Sequence, residues 1–178
     1  NFSAGAVFNN AITVSRLNLS SGLRMPHLSE MLALGEHHGA MRYEIGDTTL
    51  TPEKGYQIDF TQELQGEHLS LIVNPFYNLF TNYIYLNPMD SIIDDLPVYA
   101  YDQMSVAQFA GVDLSFHYHP HFAHGLHVES GYSYIYAKGE DGISIPLIPQ
   151  GRISSQLKYV FNIGTVFKLN ELVFQHAY

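Results

Sequence analysis

Polar and apolar residues alternate along this chain with a period of two, and no other feature restricts its fold so strongly. Tyr56, Ile58, Phe60 and Leu64 fall on one side of a segment whose other side carries Gln57, Asp59, Thr61 and Glu63. Val112, Leu114, Phe116 and Tyr118 oppose Asp113, Ser115, His117 and His119, and Tyr132, Tyr134 and Tyr136 continue the pattern beyond Leu126 and Val128. Ile153, Leu157, Tyr159 and Phe161 face away from Arg152, Ser154, Gln156 and Lys158. Successive side chains of a strand point to opposite faces, so this rhythm predicts strands with one greasy and one wet face.

About eight strands are expected, over roughly 1–8, 11–24, 53–65, 68–86, 98–118, 124–138, 150–161 and 165–177. The connections between them alternate in length. Short turns fall at Asn9-Asn10, Gly66-Glu67, His119 to Ala123 and Asn162 to Gly164, whereas long loops are expected over 25–52, 87–97 and 139–149. Membrane barrels join antiparallel strands in this way, with short periplasmic turns, long extracellular loops and aromatic girdles between. The tyrosine-rich tracts Tyr77 to Tyr85, Tyr99 to Tyr101 and Tyr132 to Tyr136 lie towards the long-loop ends, where an apolar ring with a polar hydroxyl suits an interface. The fold class is therefore all-β, a transmembrane antiparallel β-barrel, and the stretch Pro26 to Leu32 in the first loop reads as a short helix.

Composition supports this reading. Charged residues are 14% of the 178, against roughly 25% in ordinary domains, while 46% are hydrophobic. No apolar run approaches the ~20 residues of a membrane helix. The net charge of −9 and the lack of a basic patch exclude nucleic acid as a partner. With no cysteine there is no thiolate nucleophile, disulfide or Cys-based zinc site. Residues Asn1 to Gly5 lack the features of a signal peptide, so the expectation is an exported chain whose signal has been removed, or an internal segment.

Two histidine clusters carry what chemistry there is. In the first long loop, His37 and His38 lie near Glu36, Glu44 and Asp47, with His27 upstream. Imidazole and carboxylate together suit zinc and related ions, and by loop length this group faces outward as a candidate ligand-binding set. His117, His119, His121, His124 and His127 crowd eleven residues around a short turn and form the second candidate metal site. The loop carboxylates Asp94-Asp95 and Glu140-Asp141 read as solvated faces. There is no nucleophile elbow, Gly-rich phosphate loop or H-E-x-x-H motif, so no enzyme activity and no intrinsic cofactor are expected; a bound zinc or other transition metal would be cargo.

Four segments resemble a known family. Ser21-Gly22-Leu23-Arg24-Met25-Pro26-His27-Leu28-Ser29-Glu30 is similar to the S-R-G-F-R-A-P-x-L-S-E-L stretch of TonB-dependent outer-membrane receptors. Arg42 to Asp47 with Leu50 to Lys54 resembles that family's Y-E-I-G-(N/D)-x-x-L-x-P-E element, and Asn74 to Asn78 followed by Asn82-Tyr83-Ile84 resembles its F-Y-N-x-I-x-N-Y-I strand. Pro146 to Pro149 and Arg152 resemble its proline-containing loop. The resemblance implies that residues 1–178 are part of a 22-stranded type of barrel wall in the outer membrane of a Gram-negative bacterium. It further implies energy coupling to TonB through a plug domain these residues do not include, and uptake of a scarce metal, metal chelate or cofactor. A stand-alone eight-stranded barrel with a structural or adhesive role is the alternative, and an outer-membrane hydrolase ranks third.

Overall fold

The computed structural model describes residues 1–123, 125–149, 151–163 and 169–178; His124, Gln150 and 164–168, including the end of the expected Asn162 to Gly164 turn, lie outside them. Eight strands form one antiparallel sheet in chain order: β1 (Phe2–Asn9), β2 (Thr13–Arg24), β5 (Glu53–Gln65), β6 (Leu69–Ile93), β7 (Leu96–Tyr118), β8 (Leu126–Gly139), β9 (Arg152–Ile163) and β10 (Leu169–Ala177). The remaining elements, helix α1 (Leu28–Leu32) and the hairpin β3 (Leu34–His37) and β4 (Arg42–Ile45), all belong to the 25–52 connection. Among the described residues β1 pairs only with β2 and β10 only with β9, so the sheet is an unclosed section of wall and not an eight-stranded cylinder.

Register places the alternation on two continuous faces. Leu19 pairs with Ile58, Ile58 with Tyr77, Tyr77 with Ala110 and Ala110 with Tyr136. Two rows below, Leu114 joins Val73 to Tyr132, which pairs with Ile153. Among the described residues no second sheet and no helix covers this apolar face: Ile58 and Phe60 remain about 40% exposed, and Tyr134 and Leu157 slightly more. In water such a band would be a large unfavourable surface; hydrocarbon removes the penalty. The opposite face is polar, running through Asn18, Asp59, Asp113 and Ser133, with the Arg16–Glu63 ion pair at 3.0 Å and Thr61 donating its hydroxyl to Asn74 Oδ1.

Close strand approach uses small residues. A Cβ on Gly111 would lie 2.4 Å from Cζ of Phe76, its cross-strand partner, so the ring lies over the bare backbone on the polar face. Further along, Asn82 takes a left-handed conformation (φ 55), which Asn tolerates better than most residues. The ladder breaks there, and Tyr83 turns to join Phe80 and Phe109, with ring centroids 5.2–5.5 Å apart.

Apart from Pro120 in the β7–β8 turn, the buried residues gather at the end of the sheet that carries the long connections. Ala107, Phe109 and Ile145 are buried together, with Phe80, Tyr83, Met104, Ile135 and Ile148 packed against them, so the 139–149 loop folds back onto the wall. The hairpin β3–β4 docks nearby, and β4 pairs in parallel with β7 through Tyr43–Val98 to Ile45–Ala100. β8 covers β7 only from Ala107 onwards, so β4 occupies the edge that β8 leaves open.

One connection differs from expectation. Residues 87–97, read as a long loop, are almost wholly strand: β6 and β7 stay paired to Ile93–Leu96 and meet in a two-residue turn at Asp94 and Asp95. Both residues have positive φ (51 and 62), the requirement of a type I′ hairpin turn, and Asp is among the side chains that accept it. A register shift between Pro88 and Ile92 marks the disturbance that looked like a loop. Pro88 and Pro97 lack amide hydrogens, which is why the segment reads as irregular.

Candidate functional site

The three motif segments in the chain's first half meet at one point. Arg24 Nη1 donates to both carboxylate oxygens of Glu30, at 2.8 and 2.9 Å, while its Nε and Nη2 donate to Glu53, each at 3.3 Å. Glu53, 7% exposed, also accepts the backbone amide of Ile84 at 3.0 Å. A carboxylate buried this deeply must be neutralised and hydrogen-bonded, and here both conditions hold. The node ties the exit of β2, helix α1, the entry of β5 and the middle of β6 together.

The same loop accounts for most of the candidate ligand-binding residues. His27 is the N-cap of α1: its Nδ1 accepts from Ser29 N, and Glu30 reaches back to the His27 amide at 2.7 Å, a capping box. Gly46 lies so close to α1 that a Cβ there would stand 2.6 Å from the carbonyl carbon of Met31, and its amide donates to Ala33 O. Glu44, 8% exposed, accepts from Arg42 Nε at 2.7 Å and Tyr101 Oη at 3.3 Å, with His37 Nδ1 at 3.5 Å. His38, largely exposed, instead contacts Glu36 at 3.0 Å. The amide and hydroxyl of Thr49 donate to Asp47, holding its carboxyl below the usual range. The adjacent imidazoles of His37 and His38 therefore engage different carboxylates, while His27 and Asp47 serve local turns.

At the opposite end the short-turn histidines do converge. One nitrogen from each of His117, His119 and His127 lies within 4.8 Å of the other two, the one such grouping of potential metal ligands among the described residues. His117 Nε2 and His127 Nδ1 are 3.3 Å apart, with their rings parallel. Register explains the meeting: His117 pairs with Glu129 across β7 and β8, and His127 follows two residues earlier on the same polar face. His121 is not in this trio; its ring lies against His68, with centroids 4.6 Å apart, and His68 in turn meets His119 edge-on at 5.0 Å. His68 is separated from the others by about fifty residues of sequence, and only the β6–β7 register, with His119 N bonded to His68 O, brings it in. Burial, reinforced by His68, His117 and His127, lowers the pKa of His119 below the ordinary imidazole value. The Nδ1 atoms of both His68 and His119 are buried without a hydrogen-bond partner among the described residues.

With one apolar and one polar face, an open sheet and connections of two lengths in place, comparison with known proteins becomes informative. The family model described as TonB dependent receptor-like, beta-barrel matches residues 1–174. The chain belongs to the TonB-dependent receptor β-barrel family. Comparison with curated protein sequences gave no match. Among solved structures the fold is similar to the copper transporter OprC, with 18% identity and a TM-score of 0.69 over 85% of this chain and 22% of that one. The siderophore receptor PirA from Pseudomonas aeruginosa is similar at 14% identity and TM-score 0.63, over 88% of this chain and 30% of that chain. The FrpB iron transporter from Neisseria meningitidis follows at 15% and 0.59, over 89% and 24%. The chain thus spans less than a third of each of these structures. TonB-dependent receptors are transporters and receptors of the Gram-negative outer membrane, so the apolar face is the lipid-facing wall and the polar face lines the lumen.

Proposed function

We propose that these residues form part of the wall and outer vestibule of a receptor that imports a scarce metal, metal chelate or cofactor across the outer membrane with energy from TonB. The observation that carries the proposal is the division of labour across the sheet: a lipid-compatible face, a polar luminal face and, among the described residues, a roof of loops at one end. In this reading the loops 25–52 and 139–149 and the tip of the β6–β7 hairpin are extracellular. Glu36, His37 and His38 are its candidate capture residues, because they stand on a hairpin of the long-loop end with exposed side chains. His27, Glu44 and Asp47 support the loop that presents them, and a zinc or other transition-metal ion would be cargo, free or chelated. The bilayer, the TonB complex acting through a plug domain, and the substrate are the partners.

The test is uptake by the full-length receptor. A strain lacking it should show reduced growth or reduced accumulation of a labelled metal or metal chelate under limitation, restored by the intact gene but not when TonB is absent. Unchanged growth under every metal and cofactor limitation would remove the proposal. Replacing His37 and His38 together by Ala should weaken substrate binding and leave the wall intact, as judged by heat-modifiable gel migration.

A further inference from the structure

The loop ligands sit where cargo would arrive; the histidine cluster sits at the other mouth of the lumen. We infer that His117, His119 and His127 form a three-imidazole site for a divalent transition metal on the luminal wall at the short-turn end. Three observations support it together.

The first is spacing. Ligands of a tetrahedral zinc ion at about 2.0–2.1 Å stand about 3.3 Å from one another, and His117 Nε2 and His127 Nδ1 are already 3.3 Å apart. The ligand atom of His119 lies within 4.8 Å of both, so a shift of about an ångström would close the three around one ion. The second is unmet bonding capacity. His119 Nδ1 is buried without a hydrogen-bond partner among the described residues, although the ring is also hydrogen-bonded to the Glu67 backbone; a metal bound at that nitrogen would remove the cost of leaving it unsatisfied. The third is the surrounding charge. Glu129, cross-strand from His117, supplies negative potential on the same face, while Lys158, cross-strand from His127, is neutralised by Glu171 at 2.6 Å. Imidazole-only sites suit Zn²⁺, Cu²⁺ and Ni²⁺ over Mg²⁺ or Ca²⁺, and three protein ligands leave a fourth position open to water or to an incoming ligand. His68, packed edge-on against His119, holds that ring in place.

The inference builds on the luminal assignment of the polar face, but binding at this site does not require that the receptor import metal. It is tested on the full-length receptor, purified in detergent through a tag free of histidine, stripped with a chelator and titrated with Zn²⁺ by calorimetry and with Co²⁺ by visible absorption. The unchanged receptor and the His37→Ala, His38→Ala double variant should both bind with the strong visible bands of four-coordinate cobalt. His117→Ala and His127→Ala should each bind one equivalent fewer and lose those bands. His117→Asn, which preserves polarity and approximate size, should behave like His117→Ala, and heat-modifiable migration should show every variant folded. Equal stoichiometry and affinity in a folded His117→Ala, His127→Ala receptor would overturn the site. Unchanged growth of the receptor-deficient strain under every metal and cofactor limitation, with Zn²⁺ binding retained at this trio, would instead count against the transport reading and leave the site standing.

Discussion

The two ends of this wall treat polar side chains in opposite ways. At the long-loop end Arg24, Glu30, Glu53 and Glu44 are consumed by one another and by backbone amides, and they hold a roof of loops. At the short-turn end five imidazoles crowd together, and two of their buried nitrogens find no partner among the described residues. Satisfied groups build structure, whereas unsatisfied ones hold binding capacity in reserve. Arg24, Glu30, Glu44 and Glu53 therefore act as architecture, whereas the short-turn imidazoles keep binding capacity in reserve.

The most direct way to break this contrast is at the ion node. Arg24→Ala leaves the buried Glu53 carboxylate with only the Ile84 amide; because the Arg24 side chain is itself 43% exposed, the local cost is expected at the low end for such a pair, about 3 kcal/mol. The expected readout is a lower urea midpoint and proteolysis within 25–52 in the full-length receptor, while the sheet stays folded. An unchanged protease pattern would mean that the roof does not depend on the node. The wall itself is probed next: Ile58→Arg puts charge on the lipid face and should lower stability by up to about 4 kcal/mol, whereas the neighbouring luminal change Thr61→Arg should cost under about 1. Equal effects in refolding from urea into lipid vesicles would erase the distinction between the faces. Gly46→Val forces a side chain into the backbone of α1 and should cost about 1–3 kcal/mol, seen as exposure of the 25–52 loop to protease. The smallest effect sharpens the comparison most. His119→Phe removes one unpartnered buried nitrogen and one hydrogen bond to the Glu67 backbone and keeps an aromatic ring, so in the presence of chelator the two changes offset and stability should shift by less than about 1 kcal/mol in either direction. A loss as large as that of Arg24→Ala would show that the short-turn cluster is structural too.

Much of this could be read from the chain because strand alternation is local. The eight wall strands, the helix beginning after Pro26 and the turns near Asn9 and Gly66 all follow from residues within a few positions of one another. What depends on register could not be read that way. Nothing near Tyr43 announces that β4 will lie parallel to β7, and nothing near His68 announces His119 as its neighbour. The 87–97 segment misled because its prolines and its aspartate pair, common signs of a loop, serve here as an edge irregularity and a tight turn. The histidine trio was visible as a crowded sequence, but its convergence, and the separation of His37 from His38, are products of side-chain direction.

The length of the β6–β7 hairpin has a consequence of its own. Hydrocarbon accommodates about 9–11 tilted residues, yet β6 runs for 25 and β7 for 23. More than half of each strand therefore lives in a different solvent from the rest, its outer part stabilised by burial of side chains such as Leu96 and Val98 away from water and its inner part by lipid. One pair of strands thus answers to two chemistries. Urea should loosen the outer half while leaving the inner half in place, and a change of bilayer thickness should do the reverse.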